Sequence, residues 1–133
     1  YEDFLHGYEL LYSRGINVCV HIINGLPFET HDMMLETARE ISKLDIHAVK
    51  IHLLHIIRGT VLAEMYERGE VKVLERDEYA RLVAECLSLL PESMVVHRIT
   101  GDGEKAKLVA PLWSADKKAT RGAIEKYAMP REF

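Results

Sequence analysis

Three basic side chains in two apolar segments are suited to bind an anion. His21 lies within the apolar residues 16–23, and Lys50 and His52 lie within the apolar residues 47–54. Side chains alternate between the two faces of a strand, so all three point to one face if both segments are strands. That face either binds an anion or phosphate of a substrate, or is a polar lining without a ligand.

The sequence GLPFET, which follows the first apolar segment, has the composition of a ligand-binding loop. Gly25 lets the backbone approach a ligand without a Cβ atom, and Pro27 stiffens the turn just beyond it. In parallel α/β sheets such turns lie at the carboxyl ends of strands, where ligands bind. Taken alone, the two residues are also consistent with a turn that has no other role.

Further charged residues cluster in the sequence HRITGDGEK around residue 100. His97 and Arg98 are adjacent and fall on opposite faces of a third apolar segment, 94–99, so either one can join the polar lining. Arg98, Asp102 and Lys105 either form a salt-bridged structural loop or close over a substrate. Exposed ion pairs contribute only about 0–1 kcal/mol, so stability alone is a weak reason for so many charges.

Composition limits the class of protein. The chain has 133 residues, of which 48% are hydrophobic, and this is the size of one domain. Its net charge of -4 gives no sign of a large basic nucleic-acid surface, and no apolar run reaches membrane-spanning length. Cys19 and Cys86 are its two cysteines, which suits a reducing cytoplasm. No metal site is predicted, because His52 and His55 point to opposite faces of a strand.

Apolar periodicity predicts an alternation of helices and strands. Strands are expected at 16–23, 47–54 and 94–99. Helices are expected at 2–14, from the GLPFET loop to near residue 45, from residue 61 to Gly69, at 75–90, and from about residue 115 with Ser114 as N-cap. Residues 56–60 are predicted to be a loop. The long crossovers predict an α/β fold with parallel strands and outer helices, although three strands cannot close a barrel of eight.

Three segments carry a resemblance to a known family: GLPFET, VKIHLLHIIRGTVLAEMYERG and VVHRITGDGEKAKLVAPLWSADKK. Together they resemble the C-terminal part of radical S-adenosylmethionine (SAM) proteins, in particular the YhcC-like family of bacterial iron-sulfur oxidoreductases. The GLPFET segment is also similar to the coproporphyrinogen dehydrogenase and Elongator catalytic-subunit groups. The resemblance covers nearly the whole chain.

The resemblance implies the C-terminal portion of a partial TIM barrel. Residues 1–99 would be C-terminal βα units of that barrel, and residues 100–133 would be an extension that packs on it. Proteins of this class bind a 4Fe-4S cluster through Cys-x-x-x-Cys-x-x-Cys and cleave SAM to a 5′-deoxyadenosyl radical. Cys19 and Cys86 cannot make that motif, so no cluster is expected in this chain alone. Because the chain begins with Tyr1, a missing N-terminal half of the barrel is expected as its partner.

The resemblance also implies a SAM site at two loops. The family pattern Gly-x-Ile-x-Gly-x-x-Glu is kept at Ile23 and Gly25, whereas His21 replaces its first glycine and Glu29 comes one residue late. No residue matches a known catalytic base. The implied SAM-binding residues are Ile23, Gly25, Leu26 and Pro27 after the first strand, and Leu54, His55 and Ile56 after the second. The substrate-face candidates are His21, Lys50, His52, Arg98 and Asp102.

Two functions remain open. The chain is either part of a cytoplasmic radical SAM enzyme that contributes to the SAM pocket and substrate face, or a non-catalytic module that binds a nucleotide or tRNA. The related Elongator subunit acts on wobble uridine, so by analogy alone a tRNA is a candidate substrate. An unpaired edge of the strand at 16–23 would also favour self-association of the chain.

Overall fold

The computed structural model describes residues 1–101 and 103–128; Asp102, one of the substrate-face candidates, lies outside them. Helices and strands alternate along the chain. The helices are α1 Glu2–Tyr12, α2 His31–Ser42, α3 Val61–Glu67, α4 Arg76–Leu89 and α5 Lys117–Glu125. The strands are β1 Cys19–Asn24, β2 Ala48–Leu53, β3 Ile56–Ile57, β4 Val95–Arg98 and β5 Leu108–Ala110.

The central sheet has the order β1-β2-β4, and both pairings are parallel. The crossover from β1 to β2 contains α2, and the crossover from β2 to β4 contains α3 and α4. His21 pairs with Lys50, and Ile23 pairs with His52. The predicted parallel arrangement is therefore confirmed. The strand predicted to begin at residue 16 instead begins at Cys19. The carbonyl of Val18, just before it, already accepts hydrogen bonds from the backbone nitrogens of His47 and Ala48.

The two faces of this sheet differ in chemistry. One face packs its valines and isoleucines against α2 and α4 and forms the main core, with Val49 and Ile51 fully buried. The other face carries the polar side chains, and His21 and His97 are exposed there. This is the one-sided burial that the alternation of Val20 with His21 predicts. A sheet with helices on one face and polar side chains on the other is the arrangement expected for part of a barrel wall.

Helix α4 is joined to the chain beyond β4 by two aromatic residues. The hydroxyl of Tyr79, which is fully buried, donates to the carbonyl of Ile99 at 2.7 Å. The indole nitrogen of Trp113 donates to the carbonyl of Leu74 at 2.9 Å, and its ring lies 5.6 Å from that of Tyr79. These buried bonds hold the segment after β4 against the sheet.

A second, smaller sheet was not predicted. Ile56–Ile57 pairs antiparallel with Leu108–Ala110, in a region where residues 56–60 were expected to be a loop. Ile56, Ala63, Val71 and Ala110 form a separate apolar cluster beside it. A strand of two residues is too short to show a period in the sequence, which explains why that prediction was wrong.

The start of the last helix also differs from the prediction. The side chain of Asp116 accepts a hydrogen bond from the backbone of Ala119 and is the N-cap of α5. Ser114, the expected N-cap, lies in a short 3-10 helix, Leu112–Ala115, and donates its hydroxyl to the carbonyl of Pro111 at 2.7 Å. Both residues are good caps, so the sequence could not distinguish them. Within the described ranges, no helix is both long and apolar enough to cross a bilayer.

Candidate functional site

The polar face of the central sheet brings together two histidines from neighbouring strands. Nε2 of His52 lies 3.2 Å from Nδ1 of His21, a hydrogen-bonding distance at which one nitrogen donates to the other. The two rings are stacked, with centroids 5.1 Å apart and an interplanar angle of 27°. The prediction that His21, Lys50 and His52 share one face is confirmed by this contact and by the pairing of His21 with Lys50.

A β-bulge in β4 brings further side chains to this face. Val49 pairs with Val96, but Lys50 pairs with Arg98, so His97 is an extra residue in the ladder. A bulge turns consecutive side chains toward the same side, which the simple alternation of a strand does not anticipate. His97 Nδ1 accordingly lies 3.7 Å from Sγ of Cys19 on the polar face, while Arg98 is opposite Lys50. The expectation that only one of His97 and Arg98 joins the lining is therefore wrong.

The charges on this face are of one sign. Partial burial lowers the pKa of His52 below its usual value, and the nearby positive groups of His21, Arg98, Lys50 and His55 lower it further. None of the strands β1, β2 and β4 contains an aspartate or glutamate. The face is thus basic when its histidines are protonated.

The two implied SAM-binding segments lie side by side at the carboxyl ends of β1 and β2. The backbone nitrogen of Leu54 donates to the carbonyl of Asn24 at 2.9 Å. Gly25 has φ 88°, and a Cβ atom there would lie 3.7 Å from Cβ of Leu54 and 3.3 Å from the side chain of Leu74. The glycine is therefore favoured by its backbone conformation, and a side chain at this position would also crowd that of Leu74.

Exposed apolar side chains surround this edge. Ile23 is 46% exposed and Leu26 is 36% exposed, whereas Ile56 is fully buried in the second cluster. Ile23 and Leu26 can therefore offer side-chain surface to a ligand, but Ile56 can offer only backbone groups. Beyond them Phe28 has φ 67°, a left-handed conformation that is rare for a bulky residue, and it is 78% exposed.

His55 is enclosed by two glycines from the turn after β4. A Cβ atom on Gly101 would lie 2.7 Å from Cε1 of His55, and one on Gly103 would lie 2.8 Å from Nδ1. Nε2 of His55 is buried and has no hydrogen-bond partner among the described residues. Burial, and secondarily the charge of Lys117, lowers the pKa of this imidazole, which favours the neutral form. The family resemblance implied a SAM-binding role for His55, and nothing in the sequence indicated that its ring is enclosed.

The two cysteines have different surroundings. Burial raises the pKa of the Cys86 thiol to about 11, while a hydrogen bond with Asn24 acts in the opposite direction. Cys19 is half-buried beside His97. Within residues 1–101 and 103–128, no group of three or more His, Cys, Asp or Glu side chains is arranged to hold a metal ion.

The chain is similar to several known proteins. It is 46% identical to the uncharacterized protein YtqA of Bacillus subtilis (strain 168) over 126 residues, which cover 95% of this chain and 39% of that protein. It is 29% identical to the protein YhcC of Escherichia coli (strain K12) over 119 residues, or 90% of this chain and 38% of that one. The chain therefore spans about two fifths of the length of these relatives.

Two archaeal proteins are also similar to the chain, one by sequence and one by structure. The tRNA uridine(34) acetyltransferase of Methanocaldococcus jannaschii is 30% identical over 104 residues, which cover 76% of this chain and 19% of that protein. The solved structure of Methanocaldococcus infernus Elp3 with an N-terminal deletion matches with a TM-score of 0.76 and 26% identity, covering 94% of this chain and 30% of that one.

These likenesses agree with the resemblance read from the sequence motifs. The α/β fold with parallel strands and helices on one face is that of the matching part of Elp3, consistent with a partial barrel. The family described as Radical_SAM C-terminal domain matches residues 46–129, which is more than half of the chain. The chain therefore belongs to the Radical_SAM C-terminal domain family.

Proposed function

We propose that the chain forms part of the wall of a radical SAM barrel in a larger oxidoreductase, where it contributes one side of the SAM pocket and part of the substrate face. The observation that carries this proposal is the contact between the two loops at the carboxyl ends of β1 and β2, where Leu54 bonds to Asn24. Ligands of parallel α/β sheets bind at that edge.

The residues at this edge fit a bound nucleoside. Ile23 and Leu26 present exposed apolar surface, on which an adenine ring can pack. Gly25 has no Cβ atom, which allows a ligand to approach its backbone closely.

The chain's own residues would bind and orient, while the chemistry comes from the cofactors. A 4Fe-4S cluster held elsewhere in the parent protein, together with SAM, would supply a radical that abstracts hydrogen. Ile23 and Leu26 would hold the nucleoside, and the polar face of His21, Lys50, His52 and Arg98 would face the substrate. The relative that is a tRNA uridine(34) acetyltransferase makes a tRNA a candidate substrate for the parent.

Binding of SAM to variants of one loop leucine tests the proposal. We expect Leu26→Asp, in the protein expressed from its complete reading frame, to weaken SAM binding at least about tenfold, because it sets a carboxylate against an apolar ring. Leu10 is a matched control, since it is also partly exposed. It lies on α1, which leads into the amino end of β1, whereas the proposed site is at the carboxyl end. Isothermal titration calorimetry measures both affinities, and Leu10→Asp should stay within about twofold of the unchanged protein.

Two outcomes would contradict the proposal. One is equal weakening by Leu26→Asp and Leu10→Asp, which would mean that SAM does not pack on this edge. The other is no SAM binding by the unchanged protein, which would favour the alternative of a non-catalytic nucleotide- or tRNA-binding module.

A further inference from the structure

We propose that the basic face formed by His21, Lys50, His52 and Arg98 binds a phosphate group of the substrate. This inference rests on the proposed function, because it names the chemistry that the substrate face of the barrel recognises. It concerns side chains on the sheet itself and none of the loop residues assigned to SAM.

The four side chains come from three adjacent strands at neighbouring register positions. His21 of β1 pairs with Lys50 of β2, and Lys50 pairs with Arg98 of β4. His52 lies two residues beyond Lys50, and its Nε2 is 3.2 Å from Nδ1 of His21. Neighbouring strands are about 4.8 Å apart, so donors from all three can converge on one tetrahedral group.

The three strands that carry these basic residues contain neither aspartate nor glutamate. The ammonium group of Lys50 makes no hydrogen bond or ion pair to another described residue. Further titratable side chains among the described residues near this face are Cys19, His97 and His55, and Glu29 lines the same groove as His21. Like charges that are held together repel one another, and a bound anion removes that repulsion.

The number and type of donors favour a phosphate over a carboxylate. A phosphate ester offers several acceptor oxygens and a charge of about -1 to -2, whereas a carboxylate offers two oxygens and one charge. Arginine binds phosphate through a planar fork and lysine binds it as a point charge. The histidine pair adds donors whose number rises when the rings are protonated.

Binding of this anion must be coupled to proton uptake. In the free protein partial burial, and secondarily the neighbouring cations, hold the pKa of His52 below its usual value. An anion on the same face favours the protonated ring and raises that pKa, so the bound state takes up protons in the interval between the two values. Affinity for a phosphodiester, whose own charge does not change in this interval, should therefore rise as the pH falls from about 8 to about 6.

Calorimetric titration with four simple probes tests the proposal on the whole protein. The probes are inorganic phosphate, AMP, a single-stranded RNA tetranucleotide without terminal phosphate, and acetate, each at constant ionic strength. We expect Lys50→Gln and His52→Gln to weaken phosphate binding about tenfold, the loss of one charge-assisted contact. Lys126→Gln is the matched control, because Lys126 is an exposed lysine beyond the end of α5, a helix that packs against α4.

The probes also distinguish the source of the phosphate. Tighter binding of AMP than of the tetranucleotide assigns a small phosphorylated molecule, and the reverse assigns a phosphodiester of a nucleic acid. Either result supports the proposal if Lys50→Gln weakens binding of the tighter probe and Lys126→Gln does not. NMR of the imidazole protons gives an independent readout, because phosphate should shift the titration of His52 to higher pH in the unchanged protein.

Three results would overturn the proposal. These are acetate binding as tightly as phosphate, equal effects of Lys50→Gln and Lys126→Gln, and a His52 titration that phosphate leaves in place. SAM affinity measured on the same samples separates the two proposals. Intact SAM binding without phosphate binding refutes only the basic face, and intact phosphate binding without SAM binding refutes only the SAM pocket.

Discussion

The turn after β4 packs against the imidazole of His55, which follows the end of β2. Gly101 and Gly103 lie against the neighbouring Cε1 and Nδ1 atoms of its ring, at distances that leave no room for a Cβ atom. The sequence TGDG indicates only a polar turn, because nothing in it says which side chain the glycines must accommodate. In the structure these glycines are needed for packing, since neither has the left-handed φ that would favour glycine by itself.

The first prediction concerns Gly101. We expect Gly101→Ala to lower the free energy of unfolding by about 1–3 kcal/mol, because the new methyl group overlaps the His55 ring. Gly122 in α5 is the control, since no atom lies within 4 Å of a Cβ built there, and Gly122→Ala should leave stability equal or higher. Urea unfolding followed by circular dichroism measures both.

A second substitution makes this prediction specific to the ring. In a protein that carries His55→Ala, the methyl group of Gly101→Ala has space, so its additional cost should fall to a small fraction of the value in the unchanged chain. If Gly101→Ala costs the same with and without the imidazole, the packing explanation is wrong.

The second prediction is a dependence of stability on pH that originates in two histidines. The pKa values of His52 and His55 are lowered in the folded chain, mainly by burial. Unfolded histidines protonate near pH 6.5, so below about that pH the unfolded state binds more protons and the free energy of unfolding falls. We expect this fall between about pH 7.5 and 5.5, above the range in which carboxylates titrate.

Removing one ring tests the origin of that slope. Denaturation measured across this interval should give a flatter profile for His55→Gln than for the unchanged chain. His6→Gln, at an exposed position of α1, controls for the loss of an imidazole and should keep the slope. A profile that is already flat in the unchanged chain would contradict the prediction.

At the scale of elements, long and regular segments were predictable and short or irregular ones were not. The alternation of Val20 with His21 and of Ile51 with His52 revealed two strands and the face each side chain occupies, because burial on one side imposes a period of two. The bulge at His97 broke that period, so His97 and Arg98 both lie on the polar face although alternation predicted opposite faces for them. The small sheet of β3 and β5 depends on pairing between segments that are distant in the sequence, so no local sequence pattern predicts it.

The third prediction tests the start of α5. The Asp116 carboxylate accepts from the backbone of Ala119, so Asp116→Ala should lower the free energy of unfolding by about 1 kcal/mol. Asp116→Asn keeps an acceptor at the cap and should recover most of that loss. Thermal unfolding measures the stability of the two variants. If Asp116→Asn is as unstable as Asp116→Ala, the carboxylate does not act as a helix cap.

At the scale of the whole molecule, part of the site could be predicted from the sequence because it lies on regular strands. The shared face of His21, Lys50 and His52 followed from alternation alone, whereas the adjacency of the Gly25 and Leu54 loops was implied only by the family resemblance. The enclosure of His55 needed the path of the chain after β4, and so could not be read in advance.

The same architecture leaves one strand edge open. Among the described strands, β1 pairs only with β2. The carbonyls of Val18 and Asn24 face β2, so by alternation the backbone groups of Cys19, His21 and Ile23 face away from it. Beside this edge lies a groove of about 440 Å³ between α1 and α2, lined by residues that include Phe4 and Met33. Unpaired backbone groups next to apolar surface favour pairing with another strand.

The last prediction is that the chain of residues 1–133 self-associates through this edge. A charged side chain on an edge strand disfavours strand addition, so Ile23→Lys should shift the chain toward monomer at micromolar concentration. Val61→Lys is the matched control, because Val61 is 70% exposed in α3, outside the edge strand. Sedimentation equilibrium measures the association constant of each. A soluble monomer in the unchanged chain, or equal association by both variants, would mean that the edge is already protected and that the sheet needs no further strand to be stable.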